Sequence, residues 1–400
     1  MSELLMSKLL ISQPQIAPIA ESVPYSRVRA IAEIAMRMEN VYPLYFGESN
    51  LPTPDFIKRA LDKAVRDGFT YYTSNAGLLS LRETIARYYA EKHQVTLDPA
   101  SEVLVTASGV QALNVTIRCV LDPGDEAIIL TPAWPNGASI TELIGAKAIQ
   151  IAQPLDGNRF TIDFAAMEAA VTPRTKMLLY TSPSNPLGWV ATVEEQQQLL
   201  DFARKHGLWL LADEVYERLT YGMDLAPSIL RLVKPDDAVF VVQSFSKAYC
   251  MTGWRLGWVV GRKDLVKRAT ELNEFLVSCP AGFTQRAAES ALEEGEDFVA
   301  QLRGQLKANR DYCVGMLSGV KGVSIPAPEG AFYLFPSIEG LTDSFAFAKD
   351  CLLETHVGIA PGVAFGNGGE GSIRICYAAD KSILEPAMEK LCAYISSRPR

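Results

Sequence analysis

The stretch SFSKAYCMTGWRLGW, residues 244–258, sets Lys247 among small and aromatic residues, with Arg255 eight positions further on. The apolar run AVFVVQ (238–243) before it reads as a buried strand, so an amine is carried out of a strand end. A desolvated lysine has a lowered pKa and can condense with a carbonyl to form a Schiff base. Other strand ends supply chemistry to match. LWLLADEVY carries Asp213 and Tyr216, SPSNPLG places Asn185 in a turn, and TPAWPN offers the flat face of Trp134. ASGVQ opens a helix at Ser108 and Gly109, whose free N–H groups can receive an anion. Taken singly, each has a more ordinary reading: Lys247 as a surface lysine, Asp213 as a helix cap or structural ion pair, Ser108–Gly109 as a cap. An acid ending so apolar a strand nevertheless needs a partner, and a bound heteroaromatic cation would provide one. Ligands gather at the carboxyl ends of strands in open α/β sheets, and the joint occurrence of these groups there favours a single site.

Strand-length apolar runs must position these groups. They are EVLVTAS (102–108), EAIIL (126–130), KAIQIA (147–152), KMLLYTS (176–182), LWLLADEV (208–215), AVFVVQSF (238–245) and LGWVVG (256–261). Helical patterns separate several of them, including 110–121 and 192–207; the latter has a capping box in Thr192 and Glu195 and a stop at Gly207. This alternation predicts an α/β fold whose mostly parallel, seven-stranded sheet is flanked by helices on both faces. The ends differ. A helical stretch within 15–45, long helical patterns at 285–318 and 343–355, and the strands AFYLF (331–335) and SIRICYA (372–378) predict a smaller α+β domain built from both termini. The expected layout is a large domain over residues 46–285 and a small one over 1–45 and 286–400.

Four hundred residues exceed one ordinary hydrophobic core, and the hydrophobic and charged fractions, 48% and 21%, suit a globular enzyme. The net charge of -8 is spread along the chain with no basic cluster, which argues against nucleic acid as a partner. Seven scattered cysteines without a Cys-x-x-Cys pair argue against a disulfide framework or a zinc site and for a reducing compartment. The N-terminal MSELLMSKLLISQPQIAP makes a poor signal peptide, and no apolar stretch reaches the roughly 18 residues of a membrane span. A cytoplasmic protein is expected.

SPSNPLG, LADEVY, SFSKAYCMTGWRLGW and IRICYA resemble, in order and spacing, the motifs of class I/II aminotransferases, pyridoxal-phosphate enzymes of fold type I. The resemblance runs from FGESNLPTPDFI (46–57) through YYTSNAGLLSLRETIARYY (71–89) to APGVAFG (360–366), nearly the whole chain. It implies that Lys247 holds pyridoxal 5'-phosphate covalently and later carries the proton between the substrate and the cofactor. It implies further that Asp213 pairs with the pyridine nitrogen, that Tyr216 and Asn185 hydrogen-bond the cofactor's phenolic oxygen, and that Trp134 stacks on its ring. Ser108, Gly109, Ser244 and Arg255 would hold the phosphate, with Tyr72 reaching it from the second subunit of a homodimer. Arg374 would clamp the substrate α-carboxylate with Asn185 and the Gly47 backbone, where a planar guanidinium suits better than an ammonium. An exposed strand arginine is the plainer reading of Arg374. The implied substrates are an L-amino acid (neutral, aromatic or dicarboxylic) and a 2-oxo acid, taken in a ping-pong mechanism.

Departures from the family pattern are few. Asn-Pro-Leu-Gly replaces Asn-Pro-Thr-Gly, and GESNL replaces GEPDF beside the substrate. Val110 stands where one aspartate-using subgroup has a lysine, which weakens an aspartate assignment through that device. GNGGEG (366–371) matches a dinucleotide G-x-G-x-x-G string, but a strand rather than a helix is expected after it, so it reads as a turn. SFSK also satisfies the Ser-x-x-Lys of penicillin-recognising enzymes, without their Lys-Thr-Gly. The nearer rival is a C–S β-lyase or another eliminating enzyme of the same fold. A cofactor-free aldolase would not need Arg255 or the Asp213–Tyr216 pair, and a regulator would normally need an added DNA-binding module, for which the N-terminal segment is short.

Overall fold

The computed structural model describes residues 15–21 and 23–398. Seven strands form its central sheet: β1 (Val103–Thr106), β2 (Glu126–Thr131), β3 (Lys147–Ala152), β4 (Thr175–Thr181), β5 (Trp209–Asp213), β6 (Val239–Ser244) and β7 (Gly257–Gly261). They lie in the order β1-β7-β6-β5-β4-β2-β3. β7 runs antiparallel to β1 and β6, and every other pairing is parallel. The seven expected strands are all present: 147–152 has the expected bounds, 126–130 gains a residue, 176–182 is shifted back by one, and the other four are shortened at their ends.

These strands are apolar throughout because both faces of the sheet are covered. Side chains alternate between two cores: Val103, Val105, Leu178, Tyr180, Leu210 and Val241 enter one, and Leu104, Met177, Leu179, Leu211, Phe240 and Val242 the other. Helices Gly109–Val120 and Lys263–Leu276 cover the second core, and Leu79–His93 and Val193–His206 cover the first. Helix Val193–His206 starts with both halves of the Thr192–Glu195 capping box and stops at Gly207 in the left-handed conformation, as expected. Asp213 pairs in register with Thr181, and Gly257 with both Ser244 and Thr106. The carboxyl ends of β1, β4, β5 and β6 therefore share one edge with the start of β7.

Elements from the two ends of the chain pack together. Tyr42–Pro43 pairs in parallel with Val357–Gly358, and helix Arg27–Ala35 shares its core with the C-terminal helices Ser344–Thr355 and Lys381–Ser397. The expected strands 331–335 and 372–378 are shorter, β8 (Tyr333–Leu334) and β10 (Ile373–Cys376); with β9 (Ala360–Pro361) they form a small antiparallel sheet in the order β8-β10-β9. The helical pattern expected over 285–318 is two helices, Gly282–Glu294 and Glu296–Ser318, broken at Gly295. A side chain at Gly295 would collide with the Ala291 carbonyl and the Tyr249 ring, a close approach that only glycine permits. Residues 366–371 make a turn leading into β10, and no helix opens at their third glycine. The stretch read as a poor signal peptide lies mostly outside the described residues. No helix among those described is long and apolar enough to cross a membrane.

Candidate active site

β6 ends at Ser244, and the following turn places Ser246 and Lys247 at the mouth of a cavity of about 180 Å³. Its walls bring together Gly47, Gly109, Trp134, Asn185, Asp213, Tyr216, Ser244, Lys247 and Arg255, nine of the residues expected to form a site. The Lys247 ammonium donates to the Gly47 carbonyl at 2.6 Å and lies 5.5 Å from the Tyr216 ring centre. Burial pushes its pKa down to about 8, so Lys247 is not an ordinary surface lysine.

At the end of β5, Asp213 is buried and accepts from the Val215 N–H, at 3.3 Å. Burial pushes its carboxyl up to about 6, while the Val215 N–H and the Lys247 charge work the other way. Among the described residues no cation forms an ion pair with it, and a buried acid in that position suits a positively charged ring nitrogen. The opposite end of the cavity is built for an anion. Helix Gly109–Val120 begins there, with Ser244 and Ser246 hydroxyls 2.9 Å apart and the Arg255 guanidinium at the rim. Acid, amine and anion cradle, with Trp134 as a flat plate, fit the ring, aldehyde and phosphate of pyridoxal phosphate.

Three expected residues are placed differently. The Ser108 hydroxyl caps its own helix, accepting from the Gln111 N–H at 3.2 Å, and Ser108 does not itself line the cavity. Ser108 is held at φ 112°, in the region that favours glycine, which is the strain that brings the helix start to the sheet edge. Arg374 is no exposed strand arginine: it is 0% exposed, behind the cavity wall. It donates to Asn185 Oδ1 at 3.0 Å and to the Tyr45 carbonyl, and its Nε has no hydrogen-bond partner among the described residues. Tyr72 is 90% exposed and does not line the cavity of its own chain.

The cavity also uses residues that the motifs did not single out. Thr181, Leu113 and Val215 line it beside Val110, already noted as a departure, and Ser246 adds a hydroxyl. Tyr333 in β8 contributes a hydroxyl 2.7 Å from that of Tyr216. The alternating serines of SFSK were a usable signal for Ser246; nothing in AFYLF distinguishes Tyr333 from a core tyrosine.

A strand-end lysine between a buried acid and an anion cradle, on a seven-stranded sheet of this order, defines a fold type I pyridoxal-phosphate transferase. Comparison with known proteins narrows this. Residues 39–391 match the family described as aminotransferase class I and II. The chain is 34% identical to the aspartate aminotransferase of Pyrococcus abyssi over 370 residues, 92% of this chain and 94% of that protein. It is 32% identical to aromatic-amino-acid aminotransferase 2 of Thermococcus litoralis over 375 residues, 93% and 96% of the two chains. The solved structure of Thermus thermophilus aspartate aminotransferase with maleate superposes with a TM-score of 0.89 at 30% identity, covering 95% of this chain and all of that one. The chain belongs to the class I and II aminotransferases and is a pyridoxal-phosphate-dependent enzyme.

Proposed function

We propose that this enzyme moves the amino group of an L-amino acid to a 2-oxo acid in two half-reactions, the donor leaving as its own oxo acid before the acceptor enters. The observation that carries the reading is Lys247, an amine with its pKa near 8, set between the unpaired Asp213 and the anion cradle. Pyridoxal phosphate, when bound, supplies the electron sink that makes the donor's α-hydrogen acidic. Lys247 Nζ anchors it and then takes up and returns that proton, for which a base near neutrality is best suited. Asp213 keeps a proton on the ring nitrogen. Tyr216 and Asn185 donate to the phenolic oxygen, and Trp134 stacks on the ring. Backbone N–H groups at Ser108 and Gly109, with Ser244, Ser246 and Arg255, hold the phosphate, and Tyr72 joins them from a second copy of the chain.

Arg374, Asn185 and the Gly47 backbone receive the α-carboxylate. Lys247, Arg255 and Arg374 are then all committed, and the remaining lining includes the apolar Val110 and Leu113. A neutral or aromatic donor is favoured over a dicarboxylic one, although the relatives' names cover both aspartate and aromatic amino acids. Two domains, 46–285 and 1–45 with 286–400, meet at this site, and the seven free cysteines suit a reducing, cytoplasmic setting.

The test joins trapping to turnover. Borohydride should fix the cofactor to the wild-type chain and not to Lys247→Ala; trapping that survives the substitution removes Lys247 from its role. A panel of amino acids with 2-oxoglutarate and pyruvate should give oxo acids without ammonia. Ammonia release as the main product would favour an eliminating enzyme instead.

A further inference from the structure

Tyr333 touches three parts of the site at once. Its hydroxyl lies 2.7 Å from that of Tyr216 and against Gly47, and its ring centre is 4.5 Å from the Arg374 guanidinium carbon. Both phenols are buried, and burial raises each well away from ionisation, so both hydroxyls keep their hydrogens. Two neutral hydroxyls at this distance share one hydrogen between them and leave the other free. If Tyr216 donates to Tyr333, it has nothing to offer the cavity. If Tyr333 donates to Tyr216, the Tyr216 hydrogen can turn toward an acceptor in the cavity.

We propose that Tyr333 is a positioning residue for the reaction: it donates its hydroxyl hydrogen to Tyr216 and so aims the Tyr216 hydroxyl, as a strengthened donor, at the phenolic oxygen of bound pyridoxal phosphate. The inference rests on the reading that Lys247 holds the cofactor with Tyr216 beside that oxygen. A hydroxyl that accepts one hydrogen bond becomes a better donor of the next. A strong donor to the phenolic oxygen stabilises its negative charge most when the neighbouring lysine nitrogen has lost its proton, and therefore lowers the pKa of that nitrogen. Without the Tyr333 hydroxyl, Tyr216 is a weaker and less well-aimed donor, and the pKa should rise.

The experiment is a pH titration of the visible absorption band of the cofactor-loaded protein, for the wild type, Tyr333→Phe, Tyr216→Phe and the double variant. Phenylalanine keeps the ring under Arg374, so packing and the KM for the amino donor should hold. The expected result is an upward shift of the midpoint in Tyr333→Phe by about half a unit to one unit, roughly a three- to tenfold change in the protonation equilibrium. Tyr216→Phe should shift it at least as far, and the double variant no further than Tyr216→Phe alone, since Tyr333 acts only through that hydroxyl. An unmoved midpoint in Tyr333→Phe, or full additivity in the double variant, would overturn the proposal while leaving Lys247 in place. A wild-type protein with no titrating band would overturn this proposal and the reading of Lys247 together.

Discussion

Asp213 is a carboxyl group placed where water barely reaches it and where, among the described residues, no cation forms an ion pair with it. Its folded pKa of about 6, held up by burial, lies above the ordinary value of 3.8. Between those two values the folded chain binds the proton more tightly than the unfolded chain does. Stability contributed by the protonated carboxyl at low pH is therefore lost as pH rises through that window. At pH 7 the cofactor-free protein carries a buried charge that the Val215 N–H and the Lys247 charge only partly offset. Asp213→Asn keeps the oxygen that accepts from Val215 and removes the charge. We expect the cofactor-free variant to melt at a higher temperature than the wild type at pH 7, by a stability gain on the order of 1–3 kcal/mol. The difference should vanish near pH 3.5. Transamination by the same variant should fall about a hundredfold or more, because the counter-charge for the ring is gone. Thermal melts across pH, paired with turnover, check both halves; a variant less stable at pH 7 would refute the unpaired-charge account.

At the scale of elements, the anion cradle depends on a helix start pressed against a strand. Gly257, first in β7, sits under the Ser108–Gly109 turn, and a side chain there would come within 2.7 Å of the Gly109 nitrogen and 2.6 Å of the Gln243 carbonyl. Neither backbone atom can give way without moving the helix start. Gly257→Ala should therefore weaken phosphate and cofactor binding by about tenfold or more, with retained secondary structure, since overpacking of this kind costs roughly 1–3 kcal/mol. Equilibrium binding of pyridoxal phosphate against that of its unphosphorylated form reads this directly: only the phosphorylated form should lose affinity. Elements of this kind were legible in the sequence in proportion to how local their signals are. Seven apolar runs and the Thr192–Glu195 box announce strands and a helix start because burial and capping are written within a few residues. The break at Gly295 was not legible, because part of what excludes a side chain there is the Tyr249 ring, distant in the chain. Arg374 and Tyr333 fall in the same class. Their types were visible, but the burial of one behind the cavity and the hydroxyl contact of the other depend on how β8 and β10 meet the turn carrying Tyr216 and the loop carrying Asn185.

At the scale of the whole molecule, the site is assembled from segments far apart in sequence: Arg374 bonds Asn185, Lys247 bonds Gly47, and Tyr333 bonds Tyr216. One chain still leaves large side chains without cover. Tyr71 and Tyr72 are 84% and 90% exposed, and Phe275 is 87% exposed. Aromatic groups so exposed are suited to burial against another copy, where they contribute contact area and, for tyrosine, a polar end. If Tyr72 supplies its hydroxyl to a partner's cofactor phosphate, as proposed, dimerisation and cofactor binding become linked: whatever binds only the dimer stabilises it. Light scattering should give twice the chain mass, and removing the cofactor should raise the concentration at which the dimer dissociates. Tyr72→Phe should keep the contact area and lose the phosphate hydrogen bond, weakening cofactor binding about ten- to a hundredfold, the range expected for a hydrogen bond to a charged group. A fully active monomer, or unchanged cofactor affinity in Tyr72→Phe, would remove Tyr72 from the site and leave the exposed aromatic surface without a catalytic role.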